Sequence, residues 1–208
     1  MAWAPDYCTS VELKSWLRKT NTDADDLLAF CISDASRLVD AYCGRQFGSV
    51  SPAVTRYYTW DGGRYDYRDL ILVDDIHTVT SLAVTVDTDG DGDSDATITN
   101  GTDFDLWPAN AAAEGEPWKG ILLRQASNTR WNRYARSLAV TAQFGWAAVP
   151  SAIKAATLMQ AARFFGRRVA WYGVAGSPEM GSEVRLLEKL DPDVAVSLHK
   201  YKRVWAAA

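Results

Sequence analysis

TSVELKSWLRKTNTDADDLLAFCISDASRLVDAYCGRQF, residues 9–47, decides the architecture. Thr9 with Glu12 three residues on has capping-box spacing. The hydroxyl accepts a free N–H of the first turn, and the carboxylate reaches back to the cap. Val11, Leu13, Trp16 and Leu17 come next as the apolar positions of a short helix. Asn21-Thr22-Asp23 breaks the chain and recaps it. From there Leu27, Leu28, Cys31, Ile32, Ala35, Leu38, Val39 and Tyr42 recur at helical spacing, with Asp34, Arg37 and Asp40 on the wetter side. Gly44 ends the helix, because glycine enters positive φ without a Cβ clash. The pattern predicts a two-helix unit.

After Phe47 the periodicity shortens. Val54–Trp60, Leu70–Val73, Val79–Val86, Ala96–Ile98, Phe104–Pro108, Gly120–Arg124 and Leu138–Phe144 read as strands between turn signals. Residues 109–118 and 125–136 read as surface loops. Helix returns at Pro150-Ser151, with Ala155, Leu158, Met159, Ala162 and Phe165 as a stripe that Ile153, Ala156 and Phe164 widen. Arg163, Arg167 and Arg168 sit at its end, where cations suit the dipole. Residues 172–182 read as a mobile loop, and Glu183–Leu190 as a short helix or strand. Asp191-Pro192 opens a last helix, Asp as cap and Pro in the first turn, with Val194, Leu198, Tyr201 and Trp205 on one face. The expected fold class is α+β: a bundle of N- and C-terminal helices with an inserted antiparallel β-rich region. A single domain, 1–208, comprises a helical pair at 1–47, the insert at 50–147 and C-terminal helices at 150–208.

The totals narrow the function. A chain of 208 residues, 48% apolar, can bury a sizeable core. Nine tryptophans and nine tyrosines suit half-wet interfaces as well as a core. A formal charge of −4 argues against a dedicated nucleic-acid binder, which needs a basic face. Cys8, Cys31 and Cys43 form no CxxC, so they read as reduced, structural thiols of a cytoplasmically assembled protein. No signal segment and no membrane-length apolar run is expected.

Asp87-Thr88-Asp89-Gly90-Asp91-Gly92-Asp93-Ser94-Asp95 carries the sharpest chemical pattern. Asp at relative positions one, three and five with Gly at six matches the start of a calcium loop. Position twelve, however, is Ile98, and strands rather than helices flank it. Asp87, Asp89, Asp91 and Asp93 are therefore candidate ligands for an incidental Ca2+, beside the plainer reading of an Asp-Gly hairpin turn. No other cofactor is expected. His77 and His199 are lone histidines without a nucleophile motif. Asp103 and Asp105 share one strand face and are the only paired carboxylates with a hydrolase-like look, beside Asp74-Asp75. No catalytic residue is expected. The basic residues Arg163, Arg167, Arg168, Lys200, Lys202 and Arg203 read as helix-end charges or as a surface for DNA or an acidic protein.

Several segments, in order, carry a resemblance. Val11–Leu17, the acidic Asp23–Asp26 and Tyr42–Phe47 resemble the start of tailed-bacteriophage head–tail connector (adaptor) proteins. Thr85–Asp93 resembles the hairpin of adaptors with a β-rich insert. Gln143-Phe144-Gly145-Trp146 through Val149–Ala156 resembles their strand–turn–helix passage. Leu190–Val194 and Tyr201–Arg203 resemble their C-terminal segment.

The resemblance implies a structural virion protein and no enzyme. Such adaptors form a ring, typically of about twelve copies, beneath the portal. The ring extends the DNA channel and presents a surface to stopper or tail proteins. The expected place is the virion neck, after assembly in the host cytoplasm, with DNA passing unrecognised and no membrane partner. Carried over, Asp191, Val194, Leu198, Tyr201, Lys202, Arg203 and Trp205 would face the portal. The helices at 9–19, 23–43 and 150–168 would build the body and neighbour contacts, with Trp16, Tyr42, Phe47, Phe164 and Phe165 at the subunit interface. The alternatives are a stopper or tail terminator, or a calcium-dependent carbohydrate-recognition module.

Overall fold

The computed structural model of the chain describes residues 4–60, 62, 69–167, 174–175, 184–185 and 190–203. The architecture is mixed α+β. Among the described residues it holds four α-helices, two antiparallel sheets and a small strand pair. Two compact units divide the chain, one drawn from residues 1–47 and 149–207, the other spanning 48–148.

In the helical unit, α1 (Ser10–Leu17) starts at the expected capping box. The Glu12 N–H donates to Thr9 Oγ1 at 3.3 Å, and the Thr9 N–H donates to the Glu12 carboxylate at 2.9 Å. Helix α2 (Asp25–Cys43) departs from expectation at its start. Its N-cap is Ala24, which offers no side-chain acceptor, so the recapping by Thr22 or Asp23 is not made. Asp25 and Asp26 instead meet the positive end of the dipole in the first turn. The helix ends at Gly44, φ 64°, whose N–H returns to the Asp40 carbonyl. Helices α3 (Ser151–Arg167) and α4 (Pro192–Leu198) complete the unit. α1 and α2 pack on α3, and α4 packs on α3 and α2. Leu13, Leu28, Cys31, Ile32, Ala35 and Ala161 form the core between them. No helix among the described residues is long and apolar enough to cross a membrane.

The second unit contains β1 (Val54–Tyr58), β2 (Leu70–Ile76), β3 (Ala83–Val86), β4 (Ala96–Ile98), β5 (Phe104–Trp107), β6 (Trp118–Leu123) and β7 (Leu138–Ala142). A four-stranded sheet has the order β1-β7-β3-β4, a three-stranded sheet the order β2-β6-β5. Val84 stands opposite Val140 on one side and Ile98 on the other. With period-two alternation, this register sends Val84, Val86, Ile98, Leu138 and Val140 to one face. They share a single core with Ile71, Val73, Phe104, Leu106 and Ile121 of the other sheet.

Three expectations change here. Strand β2 runs on through Asp74-Asp75 to Ile76, and β3 starts at Ala83, not Val79. Asp75 is buried within β2, which the Trp146 indole N–H makes possible by donating to its carboxylate at 3.1 Å. The stretch 125–136 is not wholly a surface loop: Trp131 is buried in the core, its indole N–H donating to the Asp69 carbonyl at 2.7 Å. Farther on, β8 (Val174–Ala175) pairs antiparallel with β9 (Val184–Arg185), inside the stretches read as a loop and as a short helix or strand. The rest of 172–182 and of 183–189 lies outside the described residues, as do Arg168 and Trp205.

The insert is closed at its base. The Trp146 N–H donates to the Gly48 carbonyl at 2.7 Å, the Val50 N–H to the Phe144 carbonyl at 2.8 Å, and the Gly145 N–H to the Asp75 carbonyl at 2.6 Å. Gly145 has φ 113°, and a Cβ there would overlap the Gly48 carbonyl oxygen.

Cys8, Cys31 and Cys43 are buried and stand outside any disulfide. Burial pushes the Cys8 and Cys43 thiols up to about 11.

Two outcomes are expected for the isolated chain. Gly145→Ala should lower the urea midpoint by the equivalent of about 3 kcal/mol or more, while Gly92→Ala, also at positive φ but facing open space, should cost about 1 kcal/mol. Equal losses would sink the steric account. Cys8 and Cys43 should react with a thiol reagent at mildly alkaline pH about a hundredfold more slowly in the native than in the urea-unfolded chain. Equal rates would mean that neither thiol is sheltered.

Candidate functional site

The Asp87–Asp95 loop joins β3 to β4, and its carboxylates fold it. Asp87 is buried and accepts the Gly90 N–H at 2.6 Å and the Gly92 N–H at 3.0 Å. Asp89 accepts from the Asp91 N–H at 3.2 Å, and Asp91 from the Asp93 N–H at 2.8 Å. Asp95 accepts from the Thr88 N–H and hydroxyl at 2.6 and 2.7 Å, and these bonds hold its carboxyl below the usual range. Each Asx turn reaches two residues ahead, so a chain of them places Asp at every second position. The same spacing is the calcium-loop signature, which is why the two readings coincide in sequence. The carboxylate atoms that come within 4.8 Å of one another belong to Asp87, Asp89 and Asp95. Asp91 and Asp93, expected as ligands, are not in that group, and Ile98 at position twelve is buried in the core. Those three aspartates are the residues positioned to hold a cation, with the Asp87 oxygens already engaged.

The paired carboxylates are separated by their partners. Asp105 takes a bidentate contact from Arg124, at 2.8 and 2.6 Å, which holds its carboxyl below the usual range. Asp103 accepts the Thr99 N–H at 2.9 Å and the Ser127 hydroxyl at 3.2 Å. A general acid needs its pKa raised, and Asp105 moves the other way. Asp74 is engaged by Arg56 at 2.6 Å and the Tyr58 hydroxyl at 3.0 Å. Burial lowers the pKa of His77, whereas His199 is exposed.

The C-terminal segment is fastened to the helical unit. Asp191 caps α4 through the Asp193 N–H at 3.0 Å and accepts from Arg163 at 3.0 Å. Val194 and Leu198 are fully buried. The Tyr42 hydroxyl donates to the Ala195 carbonyl at 3.3 Å, and the Lys202 ammonium lies 4.0 Å from the Tyr42 ring centroid. Tyr201 meets Phe47 edge to face at 5.8 Å, and Tyr7 meets it from another side at 5.7 Å. The Arg203 N–H donates to the Cys43 carbonyl at 2.8 Å, satisfying a group that the end of α2 leaves open. Val194 and Leu198, expected to face the portal, are instead covered by the subunit itself, while Asp191 stays half-buried at the start of α4. Phe47 is corrected likewise from the subunit interface, being fully buried. Trp16 is 55% exposed, while Tyr42, Phe164 and Phe165 are half-buried.

Besides Trp16, the exposed large apolar side chains among the described residues are Val11, Phe30, Tyr57, Val79, Tyr134 and Val196, and the sequence gives no role to Phe30 on α2 or Val196 on α4. Their signal was phase. Phe30 falls on the polar side of the α2 stripe, and Val196 falls between Val194 and Leu198.

The whole chain is similar in fold to chains of the gene transfer agent (GTA) particle. A chain in the neck of the empty GTA particle, with C6 symmetry, aligns at a TM-score of 0.55 and 17% identity, over 100% of this chain and 96% of that one. A chain in the neck of the native GTA particle, with C12 symmetry, aligns at 0.55 and 16%, over 100% and 96%. A chain of the virion of the native particle aligns at 0.54 and 18%, over 97% and 93%. No family model matches the chain, and no curated protein matches it in sequence.

Removing the Asp87 carboxylate by Asp87→Ala should cost about 1–3 kcal/mol, because two N–H groups lose their acceptor. Calcium or a chelator should leave the wild-type melting midpoint in place. A calcium-dependent rise that Asp89→Asn abolishes would contradict the self-contained loop.

Proposed function

We propose that the chain is a structural protein of a virion neck: a head-to-tail adaptor that forms a ring beneath the portal. The ring extends the DNA channel and gives stopper or tail proteins their attachment surface. One observation carries this reading. The likeness to neck chains covers both units of this chain and nearly all of theirs. The C12 symmetry of one of those necks supports a ring of twelve copies here. A charge of −4 suits a channel that DNA slides through without adhering. No catalytic step and no cofactor enters this reading; Asp87, Asp103 and Asp105 accept from the chain's own donors.

In this reading α4 anchors the C-terminal segment, and portal docking falls to the residues beyond it, Arg203 onward with Trp205. Trp16, with Tyr42, Phe164 and Phe165 in a lesser part, lies toward neighbouring subunits. The virion neck is the proposed location, after assembly in the host cytoplasm.

Cryo-electron imaging of the full chain mixed with the portal ring encoded beside it tests the assignment. An added ring on the portal's narrow end is expected, lost on truncation after Arg203 while the truncated chain keeps its circular dichroism spectrum. A folded wild-type chain that leaves the portal bare would sink the adaptor reading.

A further inference from the structure

We propose that the loop at 129–136 and the outward side of β1 form a docking surface of the insert for another protein, one that presents carboxylates. The inference rests on the neck reading above for which protein that is, and on the insert alone for its chemistry.

The loop is fastened so that its arginines stand outward. Trp131 is anchored in the core, its indole on the Asp69 carbonyl. The Asn132 amide donates to the Asp87 carbonyl and accepts the Tyr134 N–H at 3.2 Å. The Arg136 N–H donates to the Thr59 hydroxyl at 2.8 Å. Arg130 donates to the Ser127 and Thr129 carbonyls at 2.6 and 2.7 Å. Arg130, Arg133 and Arg136 are exposed, and among the described residues none of the three takes part in an ion pair. The Arg136 guanidinium lies 4.1 Å from the Tyr57 ring centroid, and the Arg133 guanidinium 5.8 Å from that of Trp60. A guanidinium held on a ring keeps an N–H edge for a carboxylate, which it can grip with two bonds.

The sheet beside the loop supplies the flat part. Tyr57 stands opposite Ala139 and Ala139 opposite Thr85, while Thr55 stands opposite Thr141. Val84, Leu138 and Val140 turn to the core, so these alternate residues turn outward. They carry no charge, and Tyr57 is 52% exposed among them. Tyr134, 46% exposed, adds a second ring, which rests on Gly90 of the acidic loop. Tyrosine, tryptophan and arginine are the residues that anchor protein interfaces, and a loop already fastened loses little freedom on binding.

Charge selects the occupant. Asp89, Asp91 and Asp93 are exposed on the loop that Tyr134 covers. A DNA backbone laid over this face would bring phosphates onto those carboxylates. A protein surface can set a carboxylate against each arginine and leave the acidic loop to solvent. A protein, rather than a polyphosphate chain, is therefore the occupant that fits.

The test titrates the full chain by calorimetry against each neck and tail protein encoded beside it, purified separately. Wild type is compared with the double variant R133E with R136E, the double variant R133Q with R136Q, and Y57S. One of those proteins should bind wild type. Charge reversal should weaken that binding about a hundredfold, and the glutamine pair or Y57S about tenfold. The variants should keep the wild-type circular dichroism spectrum and still form a ring on the portal, because the substituted side chains are exposed. Binding by none of the proteins, or binding that charge reversal leaves unchanged, overturns the surface. A short DNA duplex that binds wild type as tightly and is lost on reversal overturns the choice of a protein. Self-association in sedimentation velocity that reversal abolishes replaces the other protein with a second copy. Each of these results leaves the ring reading standing if wild type still assembles on the portal, and a wild-type chain that leaves the portal bare removes that reading instead.

Discussion

The close approach of Gly48 and Gly145 is the constraint on which the rest of the insert depends. The chain leaves the helical unit after Phe47 and returns to it at Val149. Residues 48–148 must therefore begin and end at one place, and closing a long loop costs entropy that grows only slowly with its length. Backbone hydrogen bonds between 48–50 and 144–146 supply the closure, and only glycine fits where the two strands nearly touch. Register is set from there. Val54 pairs with Ala142 and Tyr58 with Leu138, so β1 and β7 run side by side away from the closure. β3 then adds to β7, and β4 to β3.

The local signals of the sequence were reliable where a residue acts on its immediate neighbours. The Thr9–Glu12 box, the glycine that ends α2 and the Asp191-Pro192 start of α4 all depend on atoms within a few residues. Where the partner is far away, the local pattern carries no sign of it. Two aspartates in a row argue against a strand, yet Asp75 stays in β2 because an indole 71 residues on donates to it. Trp131 sits in a stretch with loop composition and is held by a carbonyl 62 residues back. Val194 and Leu198 read as an apolar face available to a partner, and the helical unit itself covers them. Spacing shows that a face is apolar, but not what covers it.

The acidic loop marks another limit of pattern reading. Alternate aspartates suit a cation and suit a series of Asx turns equally well, because both need an oxygen on every second residue. The turns are made, with the Gly90 and Gly92 N–H groups on Asp87, the Asp91 N–H on Asp89 and the Asp93 N–H on Asp91. A similar economy holds for Asp74, Asp103 and Asp105, each engaged by a neighbour's donor. Carboxylates so engaged order the surface around them.

The Arg203 N–H on the Cys43 carbonyl carries a consequence for biosynthesis. A ribosome releases the chain from its N-terminus, and units fold as they emerge. Residues 48–148 are contiguous and hold their own core, so this unit is complete before α3 and α4 are made. The helical unit is not. Its first two helices wait for α3, and the end of α2 waits for Arg203. The inserted unit is therefore in place before the body that carries it is closed.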